Sequence, residues 1–85
     1  MRIQTTKPFD GDYDNLPKGI KERANKQFTF LLENPRHPSL RLKKIKGHPT
    51  IWEGRITESY RFTFQIAGEI YLLRKIETHD ILKAP

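Results

Sequence analysis

Apolar residues recur along this chain at two different spacings, which divide it into a helical part and a sheet part. The helical part is marked by apolar residues at three- and four-residue intervals, which would share one face of a helix: Ile20, Ala24, Phe28, Leu31 and Leu32. Pro17 suits the first turn of such a helix, and the pair Asn34-Pro35 is expected to end it. The pattern predicts one amphipathic helix between these two boundaries.

The sheet part alternates apolar and polar residues with the two-residue period of β-strands. Five segments are strand candidates: Arg2–Thr6, Leu40–Ile45, Ile51–Thr57, Tyr60–Ile66 and Glu69–Ile76. The acidic run FDGDYDNLP predicts a turn before the helix, and Ala67-Gly68 predicts a tight hairpin between the last two strands. The order β-α-β-β-β-β predicts an α+β fold, in which helix covers one face of an antiparallel sheet.

Residue parity assigns the side chains of two strands to opposite faces. Residues of one parity are predicted to point inward and pack on the helix: Trp52, Gly54, Ile56, Tyr60, Phe62, Phe64 and Ile66. Residues of the other parity are predicted to point outward: Glu53, Arg55, Thr57, Arg61, Thr63 and Gln65. In the last strand apolar residues occupy both parities, so burial on both sides is expected there.

Length and composition restrict the class of protein. A chain of 85 residues makes one small domain, and 35% hydrophobic residues can form a single core. The absence of cysteine excludes disulfides and thiolate metal sites and fits a reducing compartment. No window approaches the roughly 20 apolar residues of a membrane span, and MRIQTTKPF lacks the apolar region of a signal peptide. We therefore expect a cytoplasmic protein that does not associate with membranes.

The charge of the chain indicates an anionic partner. Sixteen Lys and Arg residues against ten Asp and Glu residues give a net charge of +6, which is typical of proteins that bind a polyanion or an acidic protein. A solubilising surface is the alternative explanation. Many cations are close together in the sequence or lie on successive predicted strands: Arg36, Arg41, Lys43, Lys44, Lys46, Arg55, Arg61, Arg74 and Lys75. This distribution predicts a basic sheet face.

RNA cleavage needs a base for the 2′-hydroxyl proton, cations for the phosphate and an acid for the leaving oxygen. Four residues could supply them: Glu53, His79, Arg55 and Arg61. A single arginine on a strand is more often simply solvated, and His79 could equally form only local hydrogen bonds at the strand end. Imidazole can nevertheless act as acid or base near neutral pH. The other histidines, His37 and His48, lack paired ligand spacing, so no metal site is expected.

The chain resembles the RelE/ParE superfamily of type II toxins in three consecutive segments: NPRHPSLRLKKIKG, IWEGRITESYRFTF and IYLLRKIETHDIL. The resemblance covers nearly the whole chain and is to the branch of messenger-RNA endonucleases that includes RelE, YafQ and YoeB. The segment FDGDYDNLPKGIKERANKQFTFLLENP is similar to the helical hairpin of that family. The resemblance therefore implies an N-terminal strand and two helices, with a break near Pro17, packed on one face of a twisted antiparallel sheet.

The resemblance also implies an activity, which is ribosome-dependent cleavage of mRNA without a metal ion or other cofactor. Arg61 matches the phosphate-stabilising arginine of the family, Arg55 an additional basic position, and Arg74 the arginine near the scissile phosphate. His79 corresponds to the C-terminal histidine that serves as general acid in YafQ-like and YoeB-like members. Further cations are expected to bind RNA or the ribosome: Arg41, Lys43, Lys44, Lys46 and Lys75.

A toxin of this superfamily implies a cognate antitoxin, whose acidic and partly disordered segment would fold across the basic face in a hetero-oligomer. ParE relatives share the fold but inhibit DNA gyrase, so a ParE-like toxin without nuclease activity is the alternative. Such relatives commonly lack the terminal histidine, so His79 favours the nuclease. The C-terminal tyrosine of RelE has no counterpart after His79, so the catalytic set differs from that of RelE.

Overall fold

Two helices and a five-stranded sheet make up the computed structural model, which describes residues 1–78. The helices are α1 (Lys7–Asp14) and α2 (Lys18–Glu33), and a short 3-10 turn follows at Pro38–Leu40. The strands are, in chain order, β1 (Arg2–Thr5), β2 (Lys43–Ile45), β3 (His48–Arg55), β4 (Arg61–Ala67) and β5 (Ile70–Glu77). The predicted α+β class is confirmed. Within residues 1–78, neither helix has the length and apolar composition of a membrane span.

The sheet is mixed, because its first strand runs parallel to its last. The strand order is β1-β5-β4-β3-β2, and the strands from β2 to β5 form an antiparallel meander. β1 pairs with β5 in parallel, with Arg2 opposite Ile70 and Thr5 opposite Leu73. The predicted antiparallel arrangement therefore holds for four strands and not for β1. Alternation within β1 indicates only that it is a strand, since its direction depends on where the helices carry the chain.

The acidic run that predicts a turn instead forms α1, as the resemblance to a helical hairpin implies. Thr6 is the N-cap, and its hydroxyl oxygen accepts a hydrogen bond from the Phe9 backbone N–H at 3.4 Å. Pro8 lies in the first turn, where its missing N–H leaves no helical bond unmade. Pro17 is the N-cap of α2 and separates the two helices, so the break expected near this residue is confirmed.

The strand before β3 is shorter than its sequence predicts. Leu40 is buried at the end of the 3-10 turn, and Arg41 follows with a left-handed backbone, φ 46° and ψ 49°. This conformation interrupts the extended chain, so β2 contains only Lys43–Ile45. Between β4 and β5 the two-residue loop begins at Gly68, one residue later than predicted, and its φ of 60° favours glycine.

Aromatic rings on β4 fill the space under α2. Phe62 and Phe64 are buried, with ring centres 5.7 Å apart, and the Phe28 ring of α2 meets Phe62 edge-on at 5.1 Å. Trp52 of β3 stacks on Phe64 at 6.4 Å. A Cβ atom on Gly54 would lie 2.6 Å from Cε1 of Phe62, so the ring occupies the place of a side chain. The predicted packing of this aromatic face on α2 is confirmed.

Four residues differ from the exposure that strand parity or the helical stripe predicts. Ile66, predicted inward, is 50% exposed near the hairpin end of β4, and Leu32, on the predicted apolar stripe, is 43% exposed in the last turn of α2. Glu53 and Thr63 lie on the face away from the helices, as predicted, yet both are buried. Thr63 lies in a central strand, flanked across the sheet by Glu53 and Lys75. Parity gives the direction of a side chain, whereas its neighbours decide its exposure.

Candidate active site on the open sheet face

The sheet surface opposite the helices, here called the open face, is built from residues that lie directly across from one another. One row of paired positions runs from β2 to β5: Lys43, Glu53, Thr63 and Lys75. Next to this row, Arg55 of β3 is paired with Arg61 of β4. Directly paired residues share one face of a sheet. The register therefore gathers on one surface charged residues that are up to 32 positions apart, from Lys43 to Lys75.

A buried carboxylate lies at the centre of the open face. Glu53 Oε1 accepts a hydrogen bond from Arg61 Nη1 at 2.9 Å and lies 3.5 Å from Lys43 Nζ. The Glu53 side chain is 5% exposed and that of Lys43 is 64% exposed. The second oxygen, Glu53 Oε2, is buried and has no hydrogen-bond partner among residues 1–78. Because a buried carboxylate needs a cation, Glu53 and Arg61 hold each other in place, and Lys43 approaches them from the solvent.

A β-bulge interrupts the pairing of β4 with β5. Thr63 pairs with Lys75, but the next residue, Phe64, pairs with Leu73, which leaves Arg74 as an extra residue in β5. A bulge re-aims side chains because one strand locally gains a residue. Simple alternation along β5 therefore does not predict where the side chains after Leu73 lie.

The bulge brings Arg74 and Lys75 together outside the core. Leu73 before them and Ile76 after them are both buried in the core, so the two cations between them lie on the other side of the sheet. Arg74 Nη1 donates a hydrogen bond to Gln65 Oε1 at 2.9 Å, which ties it to the open face of β4. Strict alternation would place Arg74 and Lys75 on opposite faces.

Three of the six residues that line a cleft next to the ion pair are cations. Arg41, Lys43 and Arg55 surround Glu53 in an open depression of ≈ 320 Å³ between β2 and β3. Three cations around one carboxylate leave an excess of positive charge, which suits an anionic ligand such as a phosphate group. Arg41 lines this cleft from its position directly after the 3-10 turn, where its own backbone is left-handed.

The lysines of the β2 region lie on different sides of the sheet. Lys43 is paired with Glu53 on the open face. Lys44 is paired with Trp52, and its Nζ lies 5.5 Å from the centre of the Trp52 ring on the helix side. Lys46 follows in the loop and lines a pocket along the β2 edge. The lysines predicted to bind RNA therefore surround the edge strand instead of sharing one face.

The predicted general acid, His79, lies outside the described residues. The other predicted catalytic residues fall into two groups: Glu53 and Arg55 line the cleft, with Arg61 bonded to Glu53, and Arg74 lies on β5. Within residues 1–78, no three His, Asp or Glu side chains are placed to hold a metal ion. The described part of the site is a cationic surface organised around one buried carboxylate.

No protein-family model matches the sequence, and no curated protein matches it at a significant level. Solved structures do match over nearly the whole chain. The YoeB/ParE toxin from Agrobacterium tumefaciens has a TM-score of 0.79 at 20% identity, over 93% of this chain and 99% of that chain. YafQ from E. coli strain BL21(DE3) has a TM-score of 0.78 at 13% identity, over 94% of each chain. The RelB-RelE antitoxin-toxin complex from Methanococcus jannaschii has a TM-score of 0.70 at 22% identity, over 93% of each chain.

The chain has the fold of the RelE/ParE toxins. The resemblance stated from the sequence is thereby confirmed for the fold. Several of the similar structures are toxin–antitoxin complexes, among them RelB-RelE from Methanococcus jannaschii and DinJ-YafQ from E. coli.

A buried glutamine, which sequence reasoning missed, supports the site from the helix side of this RelE/ParE-like fold. Gln27 Nε2 donates to the backbone carbonyl of Arg55 at 2.8 Å and to that of Ser39 at 3.2 Å. Its Oε1 accepts a hydrogen bond from Ser39 Oγ at 3.3 Å. Gln27 thus fixes the end of β3 where Arg55 lies. The signal was present, because Gln27 lies on the apolar stripe of α2, three residues after Ala24 and four before Leu31.

Proposed function

We propose that this protein is the toxin of a type II toxin–antitoxin system and that it cleaves messenger RNA on the ribosome. One observation carries the proposal: a buried carboxylate, Glu53, holds the guanidinium of Arg61 at 2.9 Å in the middle of a cationic sheet face. Fixed donors aimed at developing charge are what phosphate chemistry requires of a protein. The fold of the YoeB/ParE, YafQ and RelE toxins supports the same activity by analogy.

The proposed reaction uses the 2′-hydroxyl of the RNA as nucleophile. The 2′-oxygen loses its proton to a base and bonds to phosphorus, the bond from phosphorus to the 5′-oxygen breaks, and an acid protonates that oxygen. The products are a 2′,3′-cyclic phosphate and a 5′-hydroxyl, so atoms and charge balance within the substrate and the two protein groups. The protein supplies a base, an acid and cations that stabilise the crowded phosphate of the transition state.

Arginines stabilise that phosphate in our proposal. Arg61 stays charged at any working pH, and its planar guanidinium carries N–H donors beyond the one that binds Glu53. Arg55 lies directly across the strand pair and adds a second cation. Arg74 and Lys75, on the far side of β4, would contact the neighbouring part of the RNA backbone.

Glu53 is the proposed base and His79 the proposed acid. Arg61 occupies Oε1 of Glu53, whereas Oε2 has no hydrogen-bond partner among the described residues. Because Oε2 is buried, a 2′-hydroxyl reaches it only when the side chains around Glu53 move, and the exposed Lys43, 3.5 Å from Oε1, would be attracted by an RNA phosphate. His79 protonates the 5′-oxygen, as its place in the sequence predicts.

The proposed protein partner is an acidic antitoxin. The complexes DinJ-YafQ and RelB-RelE are structures of similar toxins with their antitoxins. The net charge of +6 and the cationic open face suit an acidic segment, which would cover Arg61 and block access of RNA. With mRNA and the ribosome as its other ligands, the protein would act in the cytoplasm.

Cleavage of a defined mRNA on programmed ribosomes by the antitoxin-free protein tests the proposal. Arg61→Ala should lower the cleavage rate about 100- to 1,000-fold, because it removes a phosphate donor that lies outside the core. Arg23→Ala, at an exposed position of α2, is the matched control and should cleave at the parental rate. A folded Arg61→Ala variant that cleaves like the parent would contradict the assignment.

A ParE-like toxin that inhibits DNA gyrase is the second candidate, because one similar structure is named a YoeB/ParE toxin. The same preparation distinguishes the two functions. A parent protein that leaves ribosome-bound mRNA intact and blocks DNA supercoiling by gyrase would replace the nuclease proposal with the ParE-like one.

A further inference from the structure

Among residues 1–78, the second half of β5 has no strand partner on the side of β1. β1 ends at Thr5, which pairs with Leu73, and the chain then turns into α1. Beyond Leu73, the part of the chain that the structure describes pairs β5 with β4 on one side and with no strand on the other. Backbone N–H and C=O groups on the other side still require hydrogen-bond partners. This unpaired stretch begins at the β-bulge that contains Arg74.

Two side chains of the α1 segment take the place of the missing strand. The Thr6 hydroxyl lies 3.1 Å from the carbonyl oxygen of Leu73 and 3.2 Å from that of Arg74, and donates its hydrogen to this pair. Oδ2 of Asp12, in the next turns of the helix, accepts a hydrogen bond from the Ile76 backbone N–H at 3.0 Å. The two contacts bracket the bulge, one at its start and one immediately after it.

The bulge decides which side chains of β5 reach the open face. With the bulge in place, Leu73 and Ile76 are both in the core, and Arg74 and Lys75 are both outside it. If the pairing relaxed to a regular ladder, strict alternation would turn one of these two cations toward the helices. Thr6 also lines a groove with Arg74 and Lys75, so it lies next to the two cations whose direction the bulge sets.

We propose that Thr6 and Asp12 are positioning residues, which clamp the bulge so that Arg74 and Lys75 together face the RNA backbone. This inference rests on the proposed nuclease function. Neither residue is assigned a contact with RNA, and both act through the backbone of β5. The sequence alone does not indicate this role of Asp12, because the residue lies in an acidic run that is equally compatible with a solvated turn.

Matched substitutions separate the clamp from general effects of charge and folding. Thr6→Val removes the hydroxyl and keeps the shape, but also removes the N-cap hydrogen bond to Phe9, whereas Asp12→Ala removes the acceptor of Ile76 and leaves that cap intact. Thr6→Ser and Asp12→Asn keep an oxygen at each position and should restore parental behaviour. Asp14→Ala, at an exposed position of the same helix, makes the same change of net charge and is the control.

The first measurement is the salt dependence of binding to a 2′-O-methyl RNA oligonucleotide, which binds but lacks the nucleophile. Each lost phosphate contact to single-stranded RNA reduces the slope of log affinity against log salt by about 0.7. We expect Thr6→Val and Asp12→Ala to lose about as much slope as Arg74→Ala, while Asp14→Ala keeps the parental slope. In Asp12→Ala, hydrogen exchange of the Ile76 amide should be faster by NMR, because its acceptor is gone.

The second measurement is single-turnover and steady-state cleavage on programmed ribosomes. Misplacing a cation by about 1 Å typically costs about 100-fold in rate, so kcat should fall by about that factor. A purely structural role would lower the melting temperature but leave the salt slope and kcat of the folded fraction unchanged.

The outcomes distinguish this inference from the proposed function. Suppose that the parent cleaves mRNA and that folded Thr6→Val and Asp12→Ala match it in salt slope and kcat. The positioning role of Thr6 and Asp12 is then wrong, and the proposed nuclease function stands. If the parent does not cleave mRNA, the proposed nuclease function is wrong. The salt dependence of RNA binding still decides whether Thr6 and Asp12 position the two cations. Loss of slope in both variants, with recovery in Thr6→Ser and Asp12→Asn, would establish the clamp.

Discussion

The two faces of the central strands bury their residues by different means. On the helix side, Phe62 and Phe64 are buried among other rings. Their burial is spread over several ring contacts and does not depend on any one of them. On the open face, Glu53 is 3% exposed and just as buried, but it depends on a hydrogen bond of 2.9 Å from Arg61. Apolar packing is non-directional, whereas a buried carboxylate needs its particular partner. We therefore expect substitutions on the helix side to act mainly on stability, and substitutions on the open face to act on activity and, at Glu53, on stability as well.

Removal of an aromatic ring from the helix side should have the largest effect on stability. Phe62→Ala should lower the free energy of unfolding by about 3 to 5 kcal/mol, because the ring contacts Phe28 and Phe64 and covers Gly54. Urea denaturation measures this loss. Phe30→Ala, which removes a half-buried ring, is the control and should cost less. An unchanged unfolding free energy for Phe62→Ala would mean that the faces are inverted.

The proposed acid should affect activity without affecting stability. His79→Gln keeps the size and hydrogen bonding of the side chain but cannot donate the proton, so single-turnover cleavage should fall about 100- to 10,000-fold. Ribosome binding should stay nearly constant. His48→Gln, at the start of β3, is the matched control. Normal cleavage by His79→Gln would show that the acid lies elsewhere.

Neutralising the buried carboxylate should affect both stability and activity. Glu53→Gln keeps the shape but turns a charged hydrogen bond to Arg61 into a neutral one, which should lower the unfolding free energy by about 1 to 3 kcal/mol. Cleavage should be lost as well, because the proposed base is gone. Glu58→Gln, in the exposed β3–β4 loop, should change neither quantity. Parental cleavage by Glu53→Gln would exclude the carboxylate as base.

The smallest expected effect tests the division of the β2 lysines between the two faces. Lys44→Ala removes an exposed contact with the Trp52 ring, which should cost about 0.5 to 1 kcal/mol of stability and leave mRNA cleavage unchanged. Lys43→Ala, its neighbour on the open face, should instead weaken RNA binding. Equal losses of RNA binding in the two variants would contradict the division.

The sequence alone determined the elements whose burial follows a regular period. The apolar stripe of α2 and the alternation in β3 and β4 have periods of a helix and of strands, and these periods are local properties of the chain. They predicted the α+β class, the aromatic face and the outward direction of Arg61. The order of basic and aromatic segments also predicted the toxin-like fold, including the helical hairpin that periodicity alone missed.

Only the tertiary structure decided the features that depend on how separate strands and helices meet. The parallel direction of β1, the burial of Glu53 by its partners and the hydrogen bonds of Gln27 each depend on contacts between different elements. The same is true of the bulge that places Arg74 beside Lys75. Such features arise because strand pairing and neighbouring side chains, and not local polarity, set register and exposure. The candidate site consists mostly of features of this second kind.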